Sequence, residues 1–577
     1  MSPERMTSET VTLWVHESAR ALAAARAPLD DANVFPVADS DTGTNLWLTV
    51  RQGAARLDAV RRTAPAGAPP DVVGLLRALA RGALDGARGN SGVILSEYLR
   101  GFVAGAAGTS SREPEGLGAE AVRAGLVEAA RRANESVGQP IGGTILTAAT
   151  WAARAASFVT PRPGAPVPVE EVVAAAVDGA RQAVGRSPQD LPILGQAGLV
   201  DAGAVGLLLV LGALDAAVRG TVGAELDPVV LAAPRWAESQ ETAGSGTAPA
   251  PVGGEDTWHH AVPLAASVDE GGEFEVMLAA VLTDLAPPAG HAPAARPPAA
   301  RGAASAGELR ERLGEIGDSV VVVDDGDGEE DLRVRVHVHA DSPAAVVDVL
   351  RGWSVGRAVV HRLTQAREHS WAVVGATASP GLLAAVARSA KVALWAQDGS
   401  VPDTDLERAL VDARASTVVL VPGRVHVDPT LAARAAAVGE AAGITVVTLL
   451  PPGGGPASDA HLVAALAVAE MIDVTTEDAA AAVTTLARAV TAVRHRATEL
   501  GSADEDDLAM LVDEVTRLLA EGAEVLSLVV DDDVPEPVVT ALAAAARDRG
   551  AEPVVVRSGL PGTWCMLGAE PGAVVDA

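Results

Sequence analysis

Aromatic side chains make up only 2% of the 577 residues, so the cores have to be filled mainly by Ala, Val and Leu. There is a single cysteine, Cys565, which excludes an intramolecular disulfide and points to a reducing compartment. Basic residues are few: 44 Lys and Arg stand against 75 Asp and Glu, for a formal net charge of -31. That balance argues against nucleic acid, whose phosphates are held by clustered Lys and Arg, and against docking on an anionic membrane. An anion can still bind through local positive groups, metal ions or helix N-termini. Long apolar runs are missing too. The longest uncharged one, Ala202 to Leu214, is too short and too Gly-rich to span a bilayer. "MSPERMTSETVTLW" lacks the basic start and apolar core of a signal peptide, so a cytoplasmic protein with no transmembrane segment is expected.

At this length two to four domains are expected. Residues 7–220 read as mostly helix, about eight of them, separated by breaks such as "TAPAGAPP" and "GTSSREPEGLG"; the first stops near Pro28. Residues 221–257 read as a Gly/Ala/Pro-rich linker. Residues 258–365 mix helices with the strands "FEVMLAAVL", "DSVVVVDD" and "LRVRVHVHA", interrupted by a disordered insertion at about 286–305. From 366 to 577 strands alternate with helices, the pattern of an α/β domain with a largely parallel sheet.

The chemistry concentrates in "NVFPVADSDTGTN", residues 33–45. Asp39 and Asp41, at i and i+2 before a helix that begins around Asn45, can converge on one hard cation such as Mg2+. Thr42 and Thr44 can cap that helix or donate to phosphate oxygens, and Gly43 permits close backbone approach. The same residues also suit a polar turn with an N-cap. "GARGNSG", Gly86 to Gly92, can present successive N–H groups to a phosphate, with Arg88, Asn90 and Ser91 as side-chain donors. It lacks the G-K-[ST] of a Walker A loop, and a tight interhelical turn would look similar. "GGTILT" and "DAGAVGL" put Gly and a small polar residue at helix starts, for a ligand or for close packing. In "LRVRVHVHA", His337 and His339 share a strand face and can share a metal; a solvated or substrate-facing strand is the alternative.

The four N-terminal motifs, in this order, resemble the nucleotide-binding domain shared by the dihydroxyacetone kinases of bacteria, in their L subunit, and the fatty acid kinase A family. "NVFPV" and "GARGNSGVILS" favour the fatty acid kinase A (YloV-like) branch. The resemblance implies a multidomain chain: an all-α eight-helix barrel (DhaL-like), an α+β middle domain and an α/β DegV-like C-terminal domain. It implies ATP bound at the barrel top through two Mg2+ ions held by Asp39 and Asp41, with Asn33 near a third ligand position. Thr42, Thr44, Asn45, Asn90, Ser91 and Gly92 would line the triphosphate, and Thr144, Asp201 and Gly203 the nucleoside end. The implied reaction passes the γ-phosphoryl group to the carboxylate of a fatty acid presented by a separate carrier of the fatty acid kinase B type. Such an acceptor is already ionised and needs no general base. His337 and His339 are candidates for a phosphate-facing catalytic role, and a homodimer is common for the type.

Two departures stand out. Some members of the resembling families bind zinc through a Cys and two His in the middle domain, whereas "GEFEVMLAAVL" has no cysteine here. The C-terminal segment carries "WAQDGSVPDTD" and "LVPGRVHVDP" where Gly-Gly-Gln-Thr and Pro-Asn-Asn segments are expected. A nucleotide-binding scaffold without transfer activity, or a dihydroxyacetone-type kinase, are the competing expectations.

Overall fold

Small apolar residues at three- and four-residue spacing build nine helices, among the described residues, between Ser8 and Arg219: α1 Ser8–Asp31, α2 Thr42–Thr63, α3 Val72–Gly86, α4 Gly89–Ser110, α5 Ala119–Ser136, α6 Ile145–Ser157, α7 Val169–Asp190, α8 Pro192–Ala197 and α9 Ala202–Arg219. The computed structural model describes residues 5–35, 40–64, 70–110, 116–138, 140–161, 166–221, 272–282, 298–324, 332–350, 354–363, 369–389, 392–425, 430–451, 458–472, 478–500, 505–520 and 522–571. Eight helices are expected from the pattern; the additional one is the short α8, started by Pro192 and ended by Gly198 at φ 68°.

Three helix boundaries differ from expectation. α1 runs through Pro28, because a proline in the last turn removes one amide bond while Ala32 N–H still reaches the Pro28 carbonyl. α2 starts at Thr42 rather than Asn45, and its first turn is closed by the Asn45 N–H on the Asp41 carbonyl at 2.8 Å. α4 starts at Gly89, so Asn90, Ser91 and Gly92 lie in its first turn and not in a preceding loop. Polar and small residues read as loop here form first turns, where N–H groups lack intrahelical partners anyway.

From α1 to α7 each helix packs on the next, the short α8 packs on α7, α7 packs on α9, and α9 returns to α1, so the helices close a ring. Its core is aliphatic, with Trp14 edge-on to Phe102 at 5.5 Å and the Trp14 indole N–H on the Val210 carbonyl at 2.9 Å. α9 is long and apolar enough to cross a membrane by composition, yet most of it is buried among its neighbours.

Two compact units emerge. One takes Met1–Gly271, Ser319–Asp325 and Thr364–Ala366; the other takes Gly272–Asp318, Gly326–Leu363 and Arg367–Ala577. In the first, the segment from Ser319 rests on the helices: Val321 bridges Val137, and Arg100 donates to the Asp324 carbonyl while paired with Glu97.

The strands are β1 Phe274–Leu282, β2 Gly317–Asp324, β3 Leu332–Ala340, β4 Ser354–Arg362, β5 His369–Thr377, β6 Val392–Ala396, β7 Ala415–Pro422, β8 Thr445–Thr448, β9 Arg494–Glu499, β10 Ala523–Val530, β11 Glu552–Arg557 and β12 Trp564–Pro571. In the second unit, one sheet carries the order β3-β1-β4-β6-β5-β7-β8. β1 is antiparallel to β3 and β4, while β5, β6, β7 and β8 run parallel, as the helix-strand alternation predicts. β4 pairs with β6, so the sheet is continuous across the boundary expected at 365/366. A second sheet, β11-β10-β12-β9, is mixed rather than largely parallel. Residues 558–563 are too few for a crossover helix, so β12 returns antiparallel to β10. Of the insertion expected to be disordered, residues 298–305 belong to the helix Pro298–Gly314; its remainder, and residues 222–271, lie outside the described residues.

Candidate nucleotide and metal site

Four helix starts meet at one end of the helical unit. Gly92, in the first turn of α4, faces α2 so closely that a Cβ would stand 2.6 Å from Thr49 Oγ1 and 3.4 Å from the Asn45 carbonyl oxygen. Gly206, in the first turns of α9, faces Leu46 of α2, where a Cβ would overlap that side chain. Gly203 stands over Ile145, the first residue of α6, with 3.3 Å left for a Cβ. α2, α4, α6 and α9 therefore bring their N-terminal N–H groups and the positive ends of their dipoles to one region. The glycines are spent on helix packing, which is how they bring these ends together.

Asp41 is the N-cap of α2, and its carboxylate makes no capping hydrogen bond. Asp39 lies outside the described residues. Between them Ser40 takes φ 55°, a left-handed conformation that costs a non-glycine residue energy. Thr44, expected to line the triphosphate, gives its hydroxyl proton to Asp30 Oδ2 at 2.6 Å and its amide to Asp30 Oδ1 at 2.9 Å. Gly43 permits close approach as expected, but to α1: a Cβ would overlap the Arg26 carbonyl. Asn33 is buried, with its N–H on the Asp30 carbonyl at 3.2 Å.

Between the first turns of α2 and α4, Thr42 Oγ1 and Ser91 Oγ lie 3.4 Å apart. Gly89 opens α4 at φ 54°. The buried Oδ1 of Asn90 has no hydrogen-bond partner among the described residues. A buried polar atom without a partner needs an explanation, and a bound ligand or ion is one. A carboxylate, two hydroxyls, an unpaired amide and four helix starts are a donor set that fits a hard cation bridging phosphates.

The residues expected at the nucleoside end have structural partners. Thr144 caps α6 through the Leu146 N–H and donates to the Ile141 carbonyl at 2.8 Å. Asp201 caps α9, accepting the Ala204 N–H at 2.7 Å, and its own N–H goes to Ser187 Oγ at 3.0 Å. Burial pushes the Asp201 carboxyl up to about 7, against the Ala204 and Ile145 N–H groups that favour its ionised form.

His337 and His339 belong to the second unit, and the solvated-strand alternative does not hold: they are 1% and 3% exposed, because β3 is covered on both faces. Their Nε2 atoms face each other at 3.2 Å. The β1–β3 register sets Glu275 opposite His339 and Met277 opposite His337, and the β1–β4 register sets Glu275 opposite His361. Glu275 Oε1 lies 3.1 Å from His337 Nδ1, and Oε2 lies 2.7 Å from His361 Nε2. Burial would raise the Glu275 carboxyl, but His361 and His337 outweigh it and hold it well below the usual carboxylate range. Where the resemblance expects a cysteine, β1 thus supplies a carboxylate in the position that orients an imidazole toward a metal. Two facing nitrogens fit one shared metal ion or one shared proton.

The comparisons with known proteins bear on both units. Residues 36–216 match the model of the DAK2 domain. The helical unit carries a DAK2 domain. Residues 299–369 match the model of the fatty acid kinase A-like middle domain. The chain is 32% identical over 220 residues to Protein YloV of Bacillus subtilis, covering 38% of this chain and 37% of that one. It is 34% identical over 182 residues to an uncharacterized protein of Staphylococcus epidermidis, covering 32% and 30%. These matches span about a third of the length of the curated relatives. The crystal structure of the dihydroxyacetone kinase of C. freundii is similar at 21% identity and a TM-score of 0.26, covering 36% of this chain and 34% of that one.

In the helical unit, two residues of the site escape sequence reasoning. Asp30 reads as an ordinary helix-end acid, and only its reach to Thr44 shows otherwise. Ser40 carries no signal at all until its backbone angle is known. In the second unit Glu275 was legible only as the missing cysteine's neighbourhood.

Proposed function

We propose that the chain is the catalytic component of a kinase that moves the γ-phosphoryl group of ATP to the carboxylate of a fatty acid held by a carrier of the fatty acid kinase B type, giving an acyl phosphate. The observation that carries the nucleotide half is the meeting of four helix starts beside the unpartnered Asn90 Oδ1. Such an end favours phosphate oxygens, because N–H groups and helix dipoles point one way there. Asp39 and Asp41 hold two Mg2+ ions in this proposal; bound there, the ions would neutralise phosphate charge and orient the transferring group. Thr42, Asn45, Asn90 and Ser91 orient the triphosphate, the small Gly92 keeps α4 close, and Asn33 backs the acidic loop. Thr144, Asp201 and Gly203 shape the nucleoside end by setting α6 against α9. No general base is assigned, since the acceptor is already an anion. The burial of His337 and His339 favours a structural role, pinning β3 to β1, over a phosphate-facing one.

The acceptor half rests on the middle-domain match. With it go the helical ring as the eight-helix barrel of the resembling kinases, a DegV-like fold for residues 366–577 as the carrier-docking part, and a cytoplasmic homodimer. The test incubates the purified chain with Mg-ATP and a lipid-loaded carrier and follows acyl phosphate and ADP. Asp41→Ala is expected to abolish turnover with the fold intact; full activity in that variant overturns the metal assignment. ADP without acyl product, whatever the carrier, overturns the acceptor.

A further inference from the structure

Asp30 and Thr44 stand at the two ends of the loop that leaves α1 and enters α2. Asp30 spends one carboxylate oxygen on the Thr44 amide at 2.9 Å and the other on the Thr44 hydroxyl at 2.6 Å. Both bonds end on the one Asp30 carboxyl group. Two bonds to one residue make a clamp. The amide bond sets where α2 begins, and the hydroxyl bond sets how its first turn is rotated. The Asp30 carbonyl also takes the Asn33 N–H at 3.2 Å, so the same residue holds the start of the loop. Behind it, Gly43 lies against the Arg26 carbonyl with no room for a Cβ. Between the clamped ends Ser40 is held at φ 55°. A strained residue persists only where its surroundings over-determine it.

We infer that Asp30 is a positioning residue of the nucleotide site: by gripping Thr44 it holds Asp41 and the first turn of α2 in place for a metal–nucleotide complex, an inference that rests on the kinase reading. Thr44 is then part of the support of the site, acting through α2. A helix start fixed before the ligand arrives spares the ligand the ordering cost, and a displacement of an ångström at reacting groups is enough to lose activity heavily.

The test measures Mn2+ binding alone and with a non-hydrolysable ATP analogue, together with KM and kcat for Mg-ATP, in Asp30→Ala, Asp30→Asn, Thr44→Val, Thr44→Ser and the Asp30→Ala/Thr44→Val double variant. Asp30→Ala and Thr44→Val are each expected to weaken Mn2+ binding and raise KM about tenfold, with kcat changing less, as for a mis-set binding loop. The double variant is expected to be no worse than Asp30→Ala alone, because both remove one clamp. Asp30→Asn and Thr44→Ser keep the hydrogen-bonding shape and restore most of the affinity. If Asp30→Ala fails to fold, Thr44→Val carries the test, since it leaves the carboxylate and removes only the hydroxyl bond. Wild-type Mn2+ affinity in the folded Ala or Val variants, or additive losses in the double variant, overturns the positioning role while the kinase reading stands. If the wild-type chain itself takes up neither Mn2+ nor the analogue, the kinase reading falls and this role with it.

Discussion

Thr42 Oγ1 and Ser91 Oγ lie 3.4 Å apart although 49 positions separate them in the chain. Their approach joins the first turns of α2 and α4, and with them an acidic loop and a glycine-rich start that have no reason to meet in sequence. What makes the contact possible is small residues: Gly92 lets α4 settle on Thr49, and Gly206 lets α9 settle on Leu46. The anion-favouring end of the DAK2 domain is therefore a consequence of how tightly these helices pack.

Asn90 separates ligand binding from folding. Its Oδ1 has no protein partner among the described residues, so Asn90→Ala removes no hydrogen bond made by that atom. The thermal midpoint is expected to stay within the small range of a neutral substitution, while the ATP analogue binds about tenfold more weakly, the loss of roughly one ligand hydrogen bond. Calorimetric titration beside a melting curve checks both. A fall in stability with unchanged affinity would assign Asn90 to the fold alone.

Gly43 should tolerate nothing larger. Alanine there would overlap the Arg26 carbonyl, which is helix backbone and cannot swing aside. Gly43→Ala is expected to cost about 1–3 kcal/mol, the usual range for overpacking, and to weaken Mn2+ binding as α2 shifts. Urea denaturation and metal titration measure the two effects. A variant as stable as wild type would mean that α1 and α2 pack more loosely than the structure has them.

Asp201 gives the protein a pH dependence of definite sign. Its carboxyl titrates at about 7 when folded, against about 3.9 in an unfolded chain. The raised value is the folded one, so the native state holds the proton more tightly. Its contribution to stability is complete below about pH 4 and is lost as pH rises towards 7. Asp201→Asn keeps an oxygen to accept the Ala204 N–H and is expected to flatten that fall, leaving the variant the more stable protein at pH 8. Burial raises Glu97 in the same direction, with Arg100 opposing, so some slope remains. Denaturation midpoints measured from pH 4.5 to 8 decide it; parallel curves for the two proteins would refute the assignment.

Much of this was legible in the chain. The apolar run "FEVMLAAVL" and the alternation "LRVRVHVHA" mark β1 and β3 to their end residues, because both lack turn residues. The motifs "DSDTGTN" and "GARGNSG" were recognisable as helix entries. Their roles were harder to read. Thr44 and Asp201 look like ligands in sequence, since Thr and Asp at a helix start suit a phosphate and an N-cap equally; in the structure Thr44 answers Asp30, and Asp201 caps α9.

Composition and periodicity alone determined that residues 7–220 are helical, that strands and helices alternate later, and that any anion must be held by local positive groups, metal ions or helix N-termini rather than by the net charge. Those features depend on near neighbours and on the sum of charge, which a sequence states directly. Which helix starts share an end, that β3 is buried on both faces with Glu275 between His337 and His361, and that Asp30 grips Thr44 were decided only by tertiary packing. Each of these depends on the distance between residues far apart in the chain, and that distance follows from how whole elements fit together rather than from any local preference.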